Sequence, residues 1–476
     1  MKRFGWIGLL VLAVILVGCG TLQPTGISDS DQGPVASANE AETSAETEAK
    51  LAADTPVESD EAIEAEAEAA MEEEIAAEEK EVDTGAVTEA EQEIAAGGDD
   101  HTAATCADPF EGVTPRFSAN LWHAEGLARF VGEDLVDPDS GLVTNFCQHS
   151  VDYAEIISGG PPPDGIPPID NPNFDPIAEG DTWLADVQPV IALTVGDEAK
   201  AYPLAILTRH EIANDEIAGI PVAATFCPLC NAGIVFNREV NGEVLRFGVS
   251  GNLRNSDLIM WDDKTLSWWQ QFTGEAIVGD MTGAQLEMIP AQMVAWKDFK
   301  AAFPEGQVLS NNGRNYGRNP YGGYDSSTQP FLFSDPPDAR LRATERVLGY
   351  FSGDTAKAYP LPVIAEERVI EDTLDGRPVV IFYEPGQVSA LDEEVIEDSR
   401  RVGSAAMFSA EVDGQRLTFS HTDGAITDNE TGSRWDLFGW AIEGELAGSQ
   451  LDPILSHTHF WFAWAAFRPD TEIYGN

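Results

Sequence analysis

One stretch of this chain is written twice, and that repetition sets the scale on which it folds. Gly196-Asp197-Glu198-Ala199-Lys200-Ala201-Tyr202-Pro203-Leu204 returns 157 positions later as Gly353-Asp354-Thr355-Ala356-Lys357-Ala358-Tyr359-Pro360-Leu361. At the same shift Asp215, Gly219, Pro221 and Val222 meet Asp372, Gly376, Pro378 and Val379. Nearer the C-terminus the shift becomes 165, pairing Gly274, Ala276, Ile277, Gly279 and Trp296 with Gly439, Ala441, Ile442, Gly444 and Trp461. Such a repeat is one structural unit used twice, and a copy of about 120–130 residues can hold its own core. The chain therefore reads as two tandem copies of one module packed together. Module 1 covers 190–310, module 2 covers 347–476, and 311–346 connects them as a linker or as a loop across their interface.

Within each copy, short apolar runs are broken by Gly, Asp-Gly or Asn-Gly, which predicts strands over 190–195, 244–249, 258–261, 379–383 and 416–420. A short helix is expected near each end, over 296–303 and 460–467. The fold class is α+β, rich in β-structure.

The segment before the repeats is of a different kind. Lys2 and Arg3 precede the apolar run 7–17, too short to span a bilayer and suited to a secretory signal. It ends in Leu16-Val17-Gly18-Cys19, which resembles the bacterial lipoprotein signal, so 1–19 is the signal and Cys19 the lipidated residue. The expected location is the cell membrane, anchored by lipid and facing outside the cytoplasm. Residues 20–105 form an acidic tether. Positions 21–100 carry 25 Asp or Glu against two Lys and no aromatic residue, too little apolar surface to offset chain entropy. As a coil this tether would span about 50 Å. Residues 106–189 form an N-terminal extension of the repeated part. From position 101 onward there are 57 acids and 23 bases, a net charge of −34, which excludes nucleic acid as a partner.

Setting Cys19 aside leaves Cys106, Cys147, Cys227 and Cys230. Outside the cytoplasm thiols tend to oxidise. Four cysteines permit three pairings, and the favoured one joins Cys106 to Cys147 and Cys227 to Cys230. The second pair stands in Thr225-Phe226-Cys227-Pro228-Leu229-Cys230-Asn231, between an apolar run at 220–226 and another at 233–236. The pair thus sits in a tight connection between strands, without the helix start that lowers a thioredoxin-type thiol's pKa.

The repeat acts as an internal control on this stretch. Where module 1 has His210, Cys227 and Cys230, module 2 has Glu367, Glu384 and Gln387, so the fold does not need the three. A dithiol could be structural, redox-active or half of a metal site. In the redox reading Cys227 attacks and Cys230 resolves, His210 and Arg254 tune the thiolate, Asp257 orients a partner, and no cofactor is required. In the metal reading Cys227, Cys230 and His210 bind copper or zinc, with His149 or a carboxylate as further candidates. Arg254 and Asp257 lie in an extra loop, 252–257, without a counterpart in module 2. Their plain alternative is a surface ion pair. No glycine-rich phosphate loop opens a helix, and Gly248-Val249-Ser250-Gly251 lacks the spacing of a nucleophile elbow.

Several stretches together resemble one family. They are Ser158-Gly159-Gly160-Pro161-Pro162-Pro163-Asp164-Gly165-Ile166-Pro167, the Cys227–Cys230 turn, Phe247-Gly248-Val249-Ser250-Gly251, Thr273-Gly274-Glu275-Ala276-Ile277 and Phe460-Trp461-Phe462-Ala463-Trp464-Ala465-Ala466-Phe467. Over about 141–474 the chain is similar to proteins filed as domain of unknown function 3179. The resemblance implies no established activity. It implies redox or soft-metal chemistry at the Cys-x-x-Cys positions, where some relatives carry selenocysteine. It also implies Ser at 147, where this chain has Cys147, and so a third thiol near the site. The function expected is a thiol-disulfide redox site in a surface lipoprotein; the alternative is binding of a soft metal, peptide or glycan without turnover.

Overall fold

Asn-Gly and Asp-Gly pairs set the local pattern. Asn241-Gly242, Asp375-Gly376, Asp413-Gly414 and Asp423-Gly424 take positive φ at both residues, the turn whose twist suits two antiparallel strands. Each closes a hairpin, and strand outweighs helix throughout. The computed structural model describes residues 106–475. The expected signal peptide, Cys19 and the tether over 20–105 lie outside the described residues. Among the described residues no helix is long and apolar enough to cross a membrane.

Three five-stranded sheets build the first half. One centres on Pro189–Val195 and Glu198–Pro203, edged by Ala291–Ala295 on one side and by Gln307–Leu309 and Phe174–Pro176 on the other. The second centres on Ile220–Cys227, between Ile212–Ile217 and Ala232–Asn237. The third pairs Phe247–Arg254 with Asp257–Asp262 and ends in Trp268–Gln270 and Ala276–Val278. Helix Leu204–His210 follows the first hairpin, and helix Trp296–Ala302 follows Ala291–Ala295.

The second half runs through the same kinds of element. Arg346–Ser352 and Thr355–Pro360 form a hairpin, then comes helix Leu361–Glu367, then the sheet Val369–Leu374, Arg377–Glu384, Ser404–Ser409. Helix Trp461–Phe467 follows strand Ser456–Phe460. Side-chain bonds recur as well. Lys200 and Tyr202 both donate to Asp215, and Lys357 and Tyr359 both donate to Asp372. Trp269 and Thr265 donate to Asp262, as Trp435 and Thr431 do to Asp428.

The strands expected over 244–249 and 416–420 are each interrupted. Leu245 and Leu417 turn inward, almost fully buried, and their N–H groups go to the carbonyls of Arg238 and Ala410 instead of a neighbouring strand. The loop expected at 252–257 is the tip of a hairpin, with Asn255 and Ser256 at positive φ. Its strands, Phe247–Arg254 and Asp257–Asp262, outrun Phe419–Thr422 and Ala425–Asp428 in the second half.

The largest core belongs to both halves. Phe226, Phe236 and Phe272 pack in one cluster with Phe460, Trp461, Phe462 and Trp464. Segment 311–346 packs against that cluster through Tyr321, Tyr324 and Phe333, so it is a cover and not a spacer. The N-terminal extension adds strand Ile156–Ser158 to the third sheet and sets Phe117 and Trp122 edge-on to Trp268, with ring centroids 5.0 and 4.9 Å away. Cys106 and Cys147 are disulfide-bonded within it, with Cα atoms 5.6 Å apart.

Candidate functional site

Strand Ile220–Cys227 ends on Cys227, and its partner begins at Ala232, so four residues make the turn. Pro228 offers no N–H, its carbonyl accepts from Asn231 N at 3.2 Å, and Asn231 takes φ 49°. This tight path puts both sulfurs on one side, 3.8 Å (Cys227) and 3.4 Å (Cys230) from the carbonyl of Ser256. The turn is tied down from outside: Phe460 N donates to Cys230 O at 2.9 Å and Tyr324 OH to Leu229 O at 3.0 Å. Both cysteines are buried and unbridged, so the expected 227–230 disulfide is absent. The bridge of Cys147 to Cys106 also removes it as a third thiol at the site.

Asp257 arrives from the hairpin tip. One of its oxygens accepts from Gln270 Nε2 at 2.7 Å and Phe272 N at 2.9 Å; the other has no hydrogen-bond partner among the described residues. Asp257 is fully buried. Its carboxylate and the two sulfurs offer three donor atoms within 4.8 Å of one another. Burial pushes the Asp257 carboxyl up to about 7 and raises both thiols.

Glu211 was not singled out by sequence. It ends helix Leu204–His210 at φ 57°, and its carbonyl accepts from Phe226 N at 2.8 Å. Burial, with Asp257 nearby, pushes its carboxyl up to about 8. Its side chain lines a cavity of about 180 Å³ together with Leu229, Leu258 and Tyr321. The signal that could have found it is the adjacent His210 in a helix-ending position; the helix Leu361–Glu367 in the second half ends instead on Arg368, at φ 69°. The position therefore does not require a carboxylate.

Two expected participants face elsewhere. His210 Nδ1 lies 2.7 Å from Pro167 O and its ring meets Tyr316 edge-on, which leaves it outside the three-donor group. Arg254 pairs with Glu155 at 2.7 Å and lies over the Phe467 ring, so it forms no ion pair with Asp257 and lends the thiols no charge. His149 is exposed and bonded to Val151 O. In the second half, Glu384 lines a separate cavity with Asp298, Trp435 and Phe438, and Gln387 accepts from Ser404. Glu367 meets Tyr474 OH, and His457 is buried on strand Ser456–Phe460. Trp268 and Trp269 are core residues.

What the arrangement can do follows from its charges. Two thiols and two carboxyls are gathered out of water, and no basic side chain joins Cys227, Cys230 and Asp257 or is among the groups that shift them. Such a group needs protons or a cation. No curated protein and no solved structure matches the chain. Residues 163–471 match the family described as "Protein of unknown function (DUF3179)", and with well over half of its length covered the chain belongs to that family.

Proposed function

We propose that Cys227, Cys230 and Asp257 hold a metal ion of borderline to soft character, zinc before copper. The observation that carries this is the buried set of three donor atoms within 4.8 Å, one Asp257 oxygen being otherwise unpartnered. Zinc sits about 2.0–2.3 Å from thiolate and carboxylate donors, so small side-chain adjustments would close this set on it. A carboxylate suits zinc better than copper(I), which favours sulfur alone. His210 is replaced in this reading by Asp257.

Elemental analysis of protein purified without affinity-metal columns tests the proposal. We expect close to one zinc or copper per chain, lost in Cys227→Ser and in Asp257→Asn. Metal-free protein with two titratable thiols would remove this reading.

A second reading, thiol-disulfide exchange, is favoured by the unbridged sulfurs lying side by side. There Cys227 attacks and Cys230 resolves. It ranks second because burial raises both thiols and neither His210 nor Arg254 is at hand to lower them. Reduction of a test disulfide would be abolished in Cys227→Ser, and Cys230→Ser would accumulate a mixed disulfide.

Two further expectations belong to the same proposal. The chain is built from two copies of one module, supported by the matching order of elements and by the paired Lys-Tyr-Asp and Trp-Thr-Asp bonds. The second copy carries no thiol chemistry. The protein is held at the outer face of a membrane through lipid on Cys19, which globomycin-sensitive processing or radiolabelled fatty acid on Cys19 would test.

A further inference from the structure

The cavity beside the cysteine turn has a single carboxyl group on its wall. Leu229, Val249, Leu253, Leu258, Phe331 and Tyr321 make it largely apolar, and Glu211 is its one acid, neutral at pH 7 while the cavity is empty and a carboxylate once a cation lies against it. Glu211 is 7 % exposed, and its carboxylate has no hydrogen bond or ion pair among the described residues. A carboxylate left without a donor in such surroundings is costly. Its helix-ending position is filled by Arg368 in the second half, so the acid is not there for the backbone. At about 180 Å³ the cavity has room for a small ligand and lies below the usual size of a pocket for a drug-sized one.

We propose that this cavity binds a small organic cation, a primary ammonium on a short apolar body, with the ammonium against Glu211 and the hydrocarbon against Leu253, Leu258 and Phe331. An anion is disfavoured by Glu211, and a neutral alcohol would leave the carboxylate without a charge partner. A ligand of that class would lie against the Cys227–Cys230 turn, whose Leu229 is part of the cavity wall. The inference stands whether the thiols hold a metal or exchange electrons.

Calorimetric titration of the full chain at pH 9, where Glu211 is ionised and the amine still carries its proton, with n-butylamine, 1-butanol and butyrate tests it. Butylamine should bind about tenfold or more tightly than butanol, and butyrate should not bind. Glu211→Gln should lose that advantage for the amine while leaving butanol unchanged, and Ile166→Trp, which fills the cavity from its wall, should lose both. Metal content and thiol titre measured on the same wild-type sample decide the metal reading separately, so failure of that reading is not mistaken for failure of this one. Equal affinity for amine and alcohol, no binding of the amine, or full amine binding by Glu211→Gln would each overturn the proposal.

Discussion

His457 and His459 alternate with Thr458 on strand Ser456–Phe460 and point into the apolar core, 5 % and 2 % exposed. Burial pushes His457 down to about 4 and His459 further below its ordinary value. The unfolded chain takes up these protons near pH 6.5 while the folded one refuses them, so their effect is to lower stability as pH falls from about 6.5 to about 4. Glu211, raised to about 8, acts in the opposite sense, since the folded state holds its proton more readily. Comparing variants isolates the histidines: His457→Leu should lose less stability than wild type between pH 7 and pH 4.5 in urea titrations. At this scale the sequence exposed Cys227, Cys230 and Asp257, because unlike residue types stand out in an otherwise ordinary stretch. Glu211 and Ser256 stayed hidden. One carboxylate among 82 acids carries no signal, and Ser256 contributes only a backbone carbonyl.

The hairpin Phe247–Arg254 and Asp257–Asp262 is the element that makes the site. Its tip brings Ser256 and Asp257 to the thiols, and its shorter relative, Phe419–Thr422 with Ala425–Asp428, has no such reach. Cutting residues 250–257 back to the turn Thr422-Asp423-Gly424-Ala425 should leave secondary structure by circular dichroism nearly intact and abolish metal binding. The hairpin bends at Gly251, where φ is 77° and a Cβ would run into the Pro161 carbonyl. Gly251→Ala should therefore cost more than about 2 kcal/mol in chemical denaturation. Most strands were legible from apolar runs between turn residues. The inward kinks at Leu245 and Leu417 were not, because a buried leucine looks the same in sequence whether its N–H meets a strand or a loop. Segment 311–346 was legible only as irregular, since its packing over the cysteine turn depends on residues far away in the chain.

At the scale of the molecule, the two halves share a core in which Trp461 and Trp464 are almost wholly buried. Removal of one such ring typically costs about 3–5 kcal/mol. Trp461→Ala should accordingly lower the melting temperature of the thiol-bearing half and the other half together, in one transition followed by fluorescence and by thiol exposure. Residues 141–310 expressed alone should stay insoluble or molten, and a soluble, cooperatively folding fragment would contradict the shared core. The β-rich α+β class was legible in the sequence; which surfaces of the two halves meet was not, because both halves present similar apolar faces. The disulfide in the N-terminal extension has a last consequence. One thiol pair, Cys106 and Cys147, is closed, while Cys227 and Cys230 remain open beneath Tyr324 and Phe460. Were such a chain to fold in the presence of an oxidant, Cys227 and Cys230 would stay open only if their cover or a bound ion came first. The order of events at one turn would then be written into the finished molecule as the difference between its two pairs.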